Sequence, residues 1–247
     1  MLRKINKQTG ASLVEAIFVV PLFLTFVGAI IEVGYVYRSK TTLNSATFDA
    51  AREGAVTNLS KTDMRMALAA GMLPLYADGN VGASVITDGL ARAISVESGL
   101  STLAVQSGVD TLDILSPNRS VFNAFVQNIP VLNDQSVELV QAIPNDNLMY
   151  RSTDLKSVNV SGQNVRMNIQ DANLIKIKSF WCHKLKFPGL RDIAKRLIFD
   201  SPLVTSTSEQ MICNDFVEPG RRGGVYVAIT AQAIARAQSP IFPDDLN

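Results

Sequence analysis

The chain has 247 residues, of which 47% are hydrophobic and 18% are charged. Soluble domains typically contain about 25% charged residues, so part of this chain is expected to lie in an apolar environment. The formal net charge of +1 and the aromatic content of 7% argue against a basic nucleic-acid-binding surface and against a platform that stacks bases or sugars.

The N-terminal segment consists of a basic leader followed by a long apolar run. Arg3, Lys4 and Lys7 precede the run, and no acidic residue lies among the first ten. From Ala11 to Tyr37 the sequence is almost continuously apolar, about 27 residues or roughly 40 Å of helix. Because about 20 residues cross the hydrocarbon core of a bilayer, this run predicts one transmembrane helix. The leader is expected to stay in the cytoplasm and the rest of the chain to lie outside it.

Three residues mark positions along the predicted transmembrane helix. Leu13 lies near its start, Pro21 lies within it and Tyr35 lies near its outer end. Proline removes one backbone donor and tends to kink a helix, although membrane helices tolerate it. Tyrosine is common at membrane interfaces, so Tyr35 is expected at the outer head-group level, with Arg38 marking the exit.

A cleaved signal peptide explains this segment less well than a retained helix. Apolar regions of signal peptides usually contain about 7–15 residues, and no small-x-small cleavage site clearly ends this run. The run also contains Glu15, which a plain signal sequence would not place there. A simple signal anchor that only tethers the rest of the chain remains an alternative.

Glu15 is the most informative residue of the apolar run. A carboxylate inside the membrane costs several kcal/mol unless it has a partner. If the leader is removed after Gly10, Ala11 becomes the new N-terminus and Glu15 the fifth residue of the mature chain. The α-amino group of one subunit would then pair with Glu15 of its neighbour and set the axial stagger between packed helices. Alternatively, Glu15 lies near the cytoplasmic interface and either reaches water or is protonated.

The start of the apolar run resembles the processing site of type IV prepilins, with a glycine before a short apolar stretch and glutamate at the fifth mature position, here Gly10–Glu15 (GASLVE). Residues 10–56 as a whole look more like the TadE-like pseudopilins of tight-adherence (Flp, type IVc) pili. In that family a proline follows the glutamate, here Pro21, and a second acid follows, here Glu32. Ala50–Ala55 (AAREGA) is similar to a further family block, and weaker echoes lie at residues 171–178 and 231–240.

This resemblance implies a non-enzymatic minor pilin or pseudopilin, because the chain is much longer than the major Flp pilin. A prepilin peptidase, an aspartyl protease of the inner membrane, would cut between Gly10 and Ala11. Other partners would be the inner membrane, other pilins or pseudopilins and secretion-machinery components, with no cofactor and no nucleic acid. The single-pass protein would keep its N-terminus in the cytoplasm and its C-terminal domain in the periplasm, and would either stay in the inner membrane or enter a surface pilus.

A function of a different class is the alternative to this one. A periplasmic binding or adhesion domain held by a signal anchor would show the same apolar helix but would not need Glu15 or a cleavable Gly10. The state of the mature N-terminus separates the two hypotheses.

After the membrane exit, the sequence predicts mainly helices first and mainly strands later. The first helix is expected to continue to about Val56, because apolar residues recur at helical spacing. Further helices are predicted at residues 61–76, 83–107 and 189–199. Strands are predicted at 109–116, 136–142, 157–160, 165–169, 174–178 and 223–231, with residues 231–238 partly helical. The polar turn sequence SGQN at 161–164 predicts that two of these strands form a hairpin.

These elements predict an α+β fold in which a long N-terminal transmembrane helix precedes further helices and a mostly antiparallel sheet. The expected organisation is a prepilin-type leader at residues 1–10, a transmembrane and assembly helix at 11–57, and a periplasmic (extracytoplasmic) α+β domain at 58–247.

The chain contains two cysteines, Cys182 and Cys213. In an oxidising periplasm such a pair predicts a disulfide, which would close a loop of about 30 residues and stabilise the fold by roughly 3–4 kcal/mol. In the cytosol the same pair would be two buried thiols.

The sequence carries no recognisable catalytic or metal-binding pattern. His183 is the single histidine, whereas metal sites need three or four ligands, and neither CxxC nor HxxxH spacing occurs. No GxSxG nucleophile motif is present for His183 to serve as a base. We therefore predict no catalytic site and no metal site, and expect His183 to lie at the surface beside a disulfide cysteine. A membrane-anchored hydrolase has no support beyond chain length.

Overall fold

One helix, α1, forms the N-terminal part of the protein. It runs from Ala11 to Val56 in a computed structural model, which describes residues 11–77, 83–133, 136–160, 162–196, 207–220, 223–243 and 246. At 1.5 Å per residue, its 46 residues extend about 69 Å. Pro21 lies inside the helix, which continues on both sides of it. The prediction of one continuous helix to Val56 is confirmed.

The part of the chain after α1, called the head below, begins with two further helices. Helix α2 is Lys61–Gly71 and α3 is Ala83–Gln106, with a 3₁₀ turn at Leu73–Leu75 between them. Ser60 caps α2 by accepting a hydrogen bond from the Asp63 backbone N–H. The helix was predicted over 61–76 with its end near Pro74, and α2 stops at Gly71, because Pro74 has no N–H to continue the helical ladder.

A three-stranded antiparallel sheet is the centre of the head. Its strands are β1 (Leu112–Ser116), β6 (Leu174–Lys184) and β7 (Tyr226–Arg236), in the order β1-β6-β7. Strands β6 and β7 pair along their whole length, with Leu174 opposite Arg236 and Lys184 opposite Tyr226. The α+β fold class is confirmed.

Two of the predicted strand boundaries are wrong in the same region. Strand β6 was expected to end at residue 178 but continues to Lys184, and its residues 179–183 are all buried instead of alternating. Residues 231–236, expected to be partly helical, are the second half of β7. Alanine has the highest helix propensity, but such propensities are small, and pairing with the first half of β6 overrides this one.

The remaining strands form two separate hairpins. Strands β2 (Gln127–Asn133) and β3 (Ser136–Ala142) make one, and β4 (Lys156–Val160) and β5 (Gln163–Met167) make the other. The second hairpin was predicted and is present, but its second strand is Gln163–Met167, two residues earlier than the predicted 165–169. Strand β2 was not predicted, because it contains Pro130 and lacks regular alternation.

Four short helices complete the described elements of the head. They are α4 (Arg119–Phe125), α5 (Ile169–Ala172), α6 (Pro188–Ala194) and α7 (Ser208–Asp215), with a 3₁₀ turn at Leu148–Tyr150. The helix predicted at residues 189–199 corresponds to α6, and the end of that prediction lies outside the described residues.

The second half of α1 belongs to the core of the head. It packs against α2, β6 and β7, and its buried hydrophobic residues there are Leu43, Ala46, Ala50, Ala51 and Ala55. At its C-terminal end, the backbone N–H groups of Gln238 and Ser239 donate to the Ala55 carbonyl at 2.8 and 3.0 Å. The end of α1 is thereby tied to the C-terminal segment, and the division between residues 57 and 58 stays a prediction.

A disulfide joins the sheet to α7. It links Cys182 on β6 to Cys213, with the two Cα atoms 5.4 Å apart. The predicted pairing is present in the structure.

Candidate functional site

The N-terminal part of α1 presents apolar side chains that the rest of the protein does not cover. Every residue from Glu15 to Leu24 is exposed, and Phe18 and Leu22 are each 73% exposed. Apolar surface in water is unfavourable by about 25 cal/mol per Å². Within the described residues, α1 is the one helix long and apolar enough to cross a membrane. These properties are consistent with single-pass anchoring.

The predicted site residues are spread along this exposed part of α1. Glu15 is exposed, and its side chain makes no hydrogen bond or ion pair with another described residue. The hydroxyl of Thr25 donates to the Pro21 carbonyl at 2.8 Å. Ala11 and Leu13 lie in the first turn of α1. Gly10 lies outside the described residues, so the roles given to Gly10, Ala11 and Glu15 stay predictions.

From Gly28 onward, one face of α1 is buried and the other stays exposed. Buried positions recur three or four residues apart, as expected for one helix face packed against a protein core. The buried residues of this face in the first turns are Gly28, Glu32 and Ser39, followed by Leu43 and the alanines of the core. The N-terminal part of α1 is therefore exposed, whereas its C-terminal part is packed against the head.

Gly28 allows the head to touch the helix inside the apolar run. A Cβ atom at this position would lie 2.4 Å from the ring of Phe187, far closer than atoms can approach. The segment after β6 therefore reaches back along α1, well below Arg38. A side chain at residue 28 would push it away.

The side chain of Glu32 holds the backbone of the same segment. Its carboxylate oxygens accept hydrogen bonds from the N–H groups of Lys186 at 2.9 Å and Phe187 at 2.8 Å. The residue is only 4% exposed. Burying a carboxylate is costly unless it is hydrogen-bonded, and these two charge-assisted bonds offset that cost.

His183 is buried beside Glu32, which corrects the expectation that it lies at the surface. Its Nδ1 atom lies 2.8 Å from the Ser39 hydroxyl, and its Nε2 atom lies 3.7 Å from Glu32 Oε1. Burial lowers the pKa of His183 below its ordinary value of 6.5, although the nearby Glu32 carboxylate acts in the opposite direction. The imidazole is therefore neutral at neutral pH. The sequence position beside Cys182 gave no sign that α1 covers this residue.

We call this set of contacts the junction. It is formed by Gly28, Glu32 and Ser39 of α1 with His183, Lys186 and Phe187 of the head. Further along α1, the Thr47 and Ser179 hydroxyls lie 2.6 Å apart, and Lys40 donates to the Thr230 carbonyl. Polar contacts therefore connect α1 to the sheet over several turns.

Tyr35 lies at the rim of the junction. Its ring centroid is 4.2 Å from the Lys186 ammonium, a cation–π distance. Its predicted position at the outer membrane interface stays a prediction. The contact nevertheless shows that the cationic segment after β6 lies beside the end of the apolar run.

The acidic, histidine and cysteine side chains of the described residues are spread over the fold. Among those residues, no group of three or more His, Cys, Asp or Glu side chains is arranged to hold a metal ion. The contacts of His183 with Ser39 and Glu32 serve to join two elements.

Comparison with known protein families gives one match, in the segment that carries α1. Residues 10–52 match the TadE-like protein family. The match confirms the predicted resemblance and connects this segment with tight-adherence pilus systems. It ends within α1, so the head and the weaker echoes at residues 171–178 and 231–240 lie outside it. The chain matches no curated protein and no solved structure in the other two comparisons.

Sequence reasoning missed the contacts that Glu32 makes with the head. Glu32 was noted only as a second acid of the family, and the contacts it makes with Lys186 and Phe187 were not predicted. A signal was present, because Glu32 lies in the same apolar run as Glu15 and also needs a partner there. Its partner lies more than 150 residues away in sequence, which no local pattern reveals.

Proposed function

We propose that this protein is a non-enzymatic minor pilin or pseudopilin that acts in assembly of a tight-adherence (Flp-type) pilus for surface attachment. The supporting observation is the uncovered apolar surface of α1 at residues 15–26 within the TadE-like match. Lipid covers such a surface before assembly, and helices of neighbouring subunits replace the lipid afterwards. A helix that served only its own fold would bury this surface in the head.

In this proposal α1 crosses the inner membrane once. The basic leader lies in the cytoplasm and the head in the periplasm. The Cys182–Cys213 disulfide supports this orientation, since disulfides persist in oxidising compartments. The partners are prepilin peptidase, other pilins or pseudopilins and the secretion machinery.

Glu15 has the central role in assembly. After cleavage behind Gly10, the amino group of Ala11 in one subunit pairs with Glu15 of the next, at the same depth in the apolar layer. The exposed position of Glu15 in the structure leaves its carboxylate accessible to such a neighbour. Pairing in a low-dielectric environment fixes the axial offset between subunits, because an unpaired charge there is costly.

The mass of the mature N-terminus tests this proposal. Purified protein is expected to begin at Ala11, with or without a methyl group on its amino nitrogen. A Gly10→Val variant should retain the leader, while Gly34→Ala, at a glycine of α1 with free space around it, should be processed normally. A mature chain that still begins at Met1 would exclude prepilin processing and favour the signal-anchored binding or adhesion domain.

A further inference from the structure

A cavity of about 560 Å³ opens beside α1 at the outer end of its apolar run. Tyr35, Arg38 and Ser39 line it from the helix, and Lys186 and Arg191 line it from the segment after β6. Ser39, His183 and Lys186 of the junction thus lie in the same wall as further cationic side chains. The proposed function uses none of these cations.

Three of the cations are held by neutral groups. Arg38 donates to the Pro74 carbonyl at 3.2 Å, Arg191 donates to the Leu185 and Lys186 carbonyls at 2.9 and 3.2 Å, and the Lys186 ammonium lies over the Tyr35 ring. Within the described residues, no carboxylate forms an ion pair with any of the three. These contacts orient the three side chains without pairing their charges with a carboxylate.

The cavity as a whole is positively charged. Lys184 is a fourth cation in its wall, and His183 is neutral because burial lowers its pKa. Glu218 is the one acidic residue among the described residues of the lining. The Glu32 carboxylate lies behind this wall, bonded to the Lys186 backbone, so four cations and two carboxylates leave a net positive charge that favours an anionic ligand.

The position of the cavity along α1 indicates where that ligand comes from. Phe187 rests on Gly28, at a level where Ile30 and Ile31 are still more than half exposed. Ile31 lies one turn before Tyr35 and two turns before Arg38, so the three share one stripe of the helix. An apolar surface therefore leads directly into the cationic cavity.

Helix α6, which packs against α1, carries the same kinds of side chain. Ile193 is 45% exposed, and Lys195 and Arg196 are exposed after it. A short segment with an exposed aliphatic side chain and several cations is suited to the boundary between lipid head groups and acyl chains.

We propose that this cavity binds the head group of an anionic phospholipid from the outer leaflet of the membrane that α1 crosses. The phosphodiester lies between Arg38, Lys186 and Arg191, and an acyl chain follows the stripe of Ile31. This assignment rests on the membrane-spanning role proposed above for α1. The lipid fixes the height of the head relative to the bilayer before assembly.

Native mass spectrometry of the full-length protein in detergent tests the site. Phosphatidylglycerol and phosphatidylcholine with identical acyl chains are added in turn, and the fraction of protein that retains one lipid is measured. We expect retention of phosphatidylglycerol at least about tenfold above that of phosphatidylcholine. Equal retention of the two lipids would overturn the proposal.

Charge variants localise the binding. Lys186→Gln should lower retention of phosphatidylglycerol about tenfold, and Lys186→Arg should restore most of it, which separates loss of charge from loss of folding. Arg52→Gln removes an exposed cation of α1 outside the cavity and should leave retention unchanged. An equal decrease in the Arg52 and Lys186 variants would show non-specific attraction and contradict the site.

Two controls distinguish the source of the anion and the dependence on membrane insertion. Inorganic phosphate in large excess should not displace the lipid; complete displacement would show a site for free anions and refute the lipid assignment. Membrane insertion is measured separately, by resistance of the protein to extraction with alkaline carbonate. Extraction would refute the proposed anchoring, whereas the retention measurements in detergent report on the cavity alone.

Discussion

The apolar side chains in the two halves of α1 have opposite surroundings. Residues 15–26 present large side chains outward, as Phe18, Leu22 and Phe23 show, whereas the buried residues between 46 and 55 are mostly alanines. Small side chains allow the backbone of a helix to approach a sheet and another helix closely, while large ones cover the helix with apolar surface. The size of its apolar residues therefore distinguishes the part of a helix that packs in its own fold from the part that awaits another partner.

The two acids of the apolar run follow the same division. Glu32 is buried and bonded to two backbone N–H groups of its own chain. Glu15 is exposed, without such a contact among the described residues. A carboxylate in an apolar layer needs a partner in both cases. One is supplied within the subunit, and the other, in our proposal, by the neighbouring subunit.

Replacing Glu15 tests the exposed half of α1 and should have the largest effect of the changes considered. Glu15→Ala removes the proposed partner of the neighbouring amino group, so pili should be lost while the N-terminus is still processed to Ala11. Pili are counted by electron microscopy, and the N-terminus is checked by mass spectrometry. Asp49→Ala, at an exposed acid of the packed half, serves as the control. Normal piliation by Glu15→Ala would remove the basis for the stagger.

Replacing Glu32 tests the packed half. In Glu32→Ala the N–H groups of Lys186 and Phe187 lose their acceptors, which should lower the free energy of unfolding by about 3 kcal/mol. Denaturant unfolding of the full chain in detergent measures the loss. Glu32→Gln retains one carbonyl acceptor and should lose less. If Glu32→Ala and Asp49→Ala proved equally stable, the junction would contribute nothing to folding.

A pair of glycine variants sharpens the boundary between the halves. Gly28→Val places a side chain against the Phe187 ring and should destabilise the junction by about 1–3 kcal/mol. Gly34→Val adds the same atoms where no heavy atom lies within 4 Å of the new Cβ, so stability should hardly change. Cleavage of the segment after β6 by a protease should increase in the first variant only. The opposite ranking would place that segment away from α1.

The smallest effect is expected from pH. Burial lowers the pKa of His183 in the folded state, so the unfolded state binds the proton first as the pH falls below 6.5. Stability should therefore decrease on acidification, by about 1 kcal/mol between pH 7 and pH 5.5. The difference between wild type and His183→Gln isolates this contribution. A wild-type protein that becomes more stable relative to the variant at pH 5.5 would reverse the sign of the shift.

The parts of the fold that were predicted depend on local signals. Apolar spacing gave α1 to Val56, and Gly162 in a short polar turn indicated the hairpin of β4 and β5. The disulfide was predicted from the even number of cysteines and the compartment expected for the domain. Each of these signals is either contained in a short stretch of sequence or depends on a single chemical property of the residues.

The parts that were missed depend on distant contacts. The second half of β7 is strand because β6 lies beside it, although its alanines favour a helix. His183 is buried because α1 returns to cover it with Ser39, which is 144 residues away in sequence. Long-range packing decides such features, and a single sequence does not display it.

The contacts between α1 and the head also have a mechanical consequence. They are arranged one after another along the helix, from Glu32 through Ser39 and Thr47 to Ala55, over about 35 Å. A force that pulls on α1 along its axis loads these contacts in shear, so they share the load and must break together. Tension on such a subunit would be transmitted from the helix into the central strand, and the head would resist detachment from its own stalk.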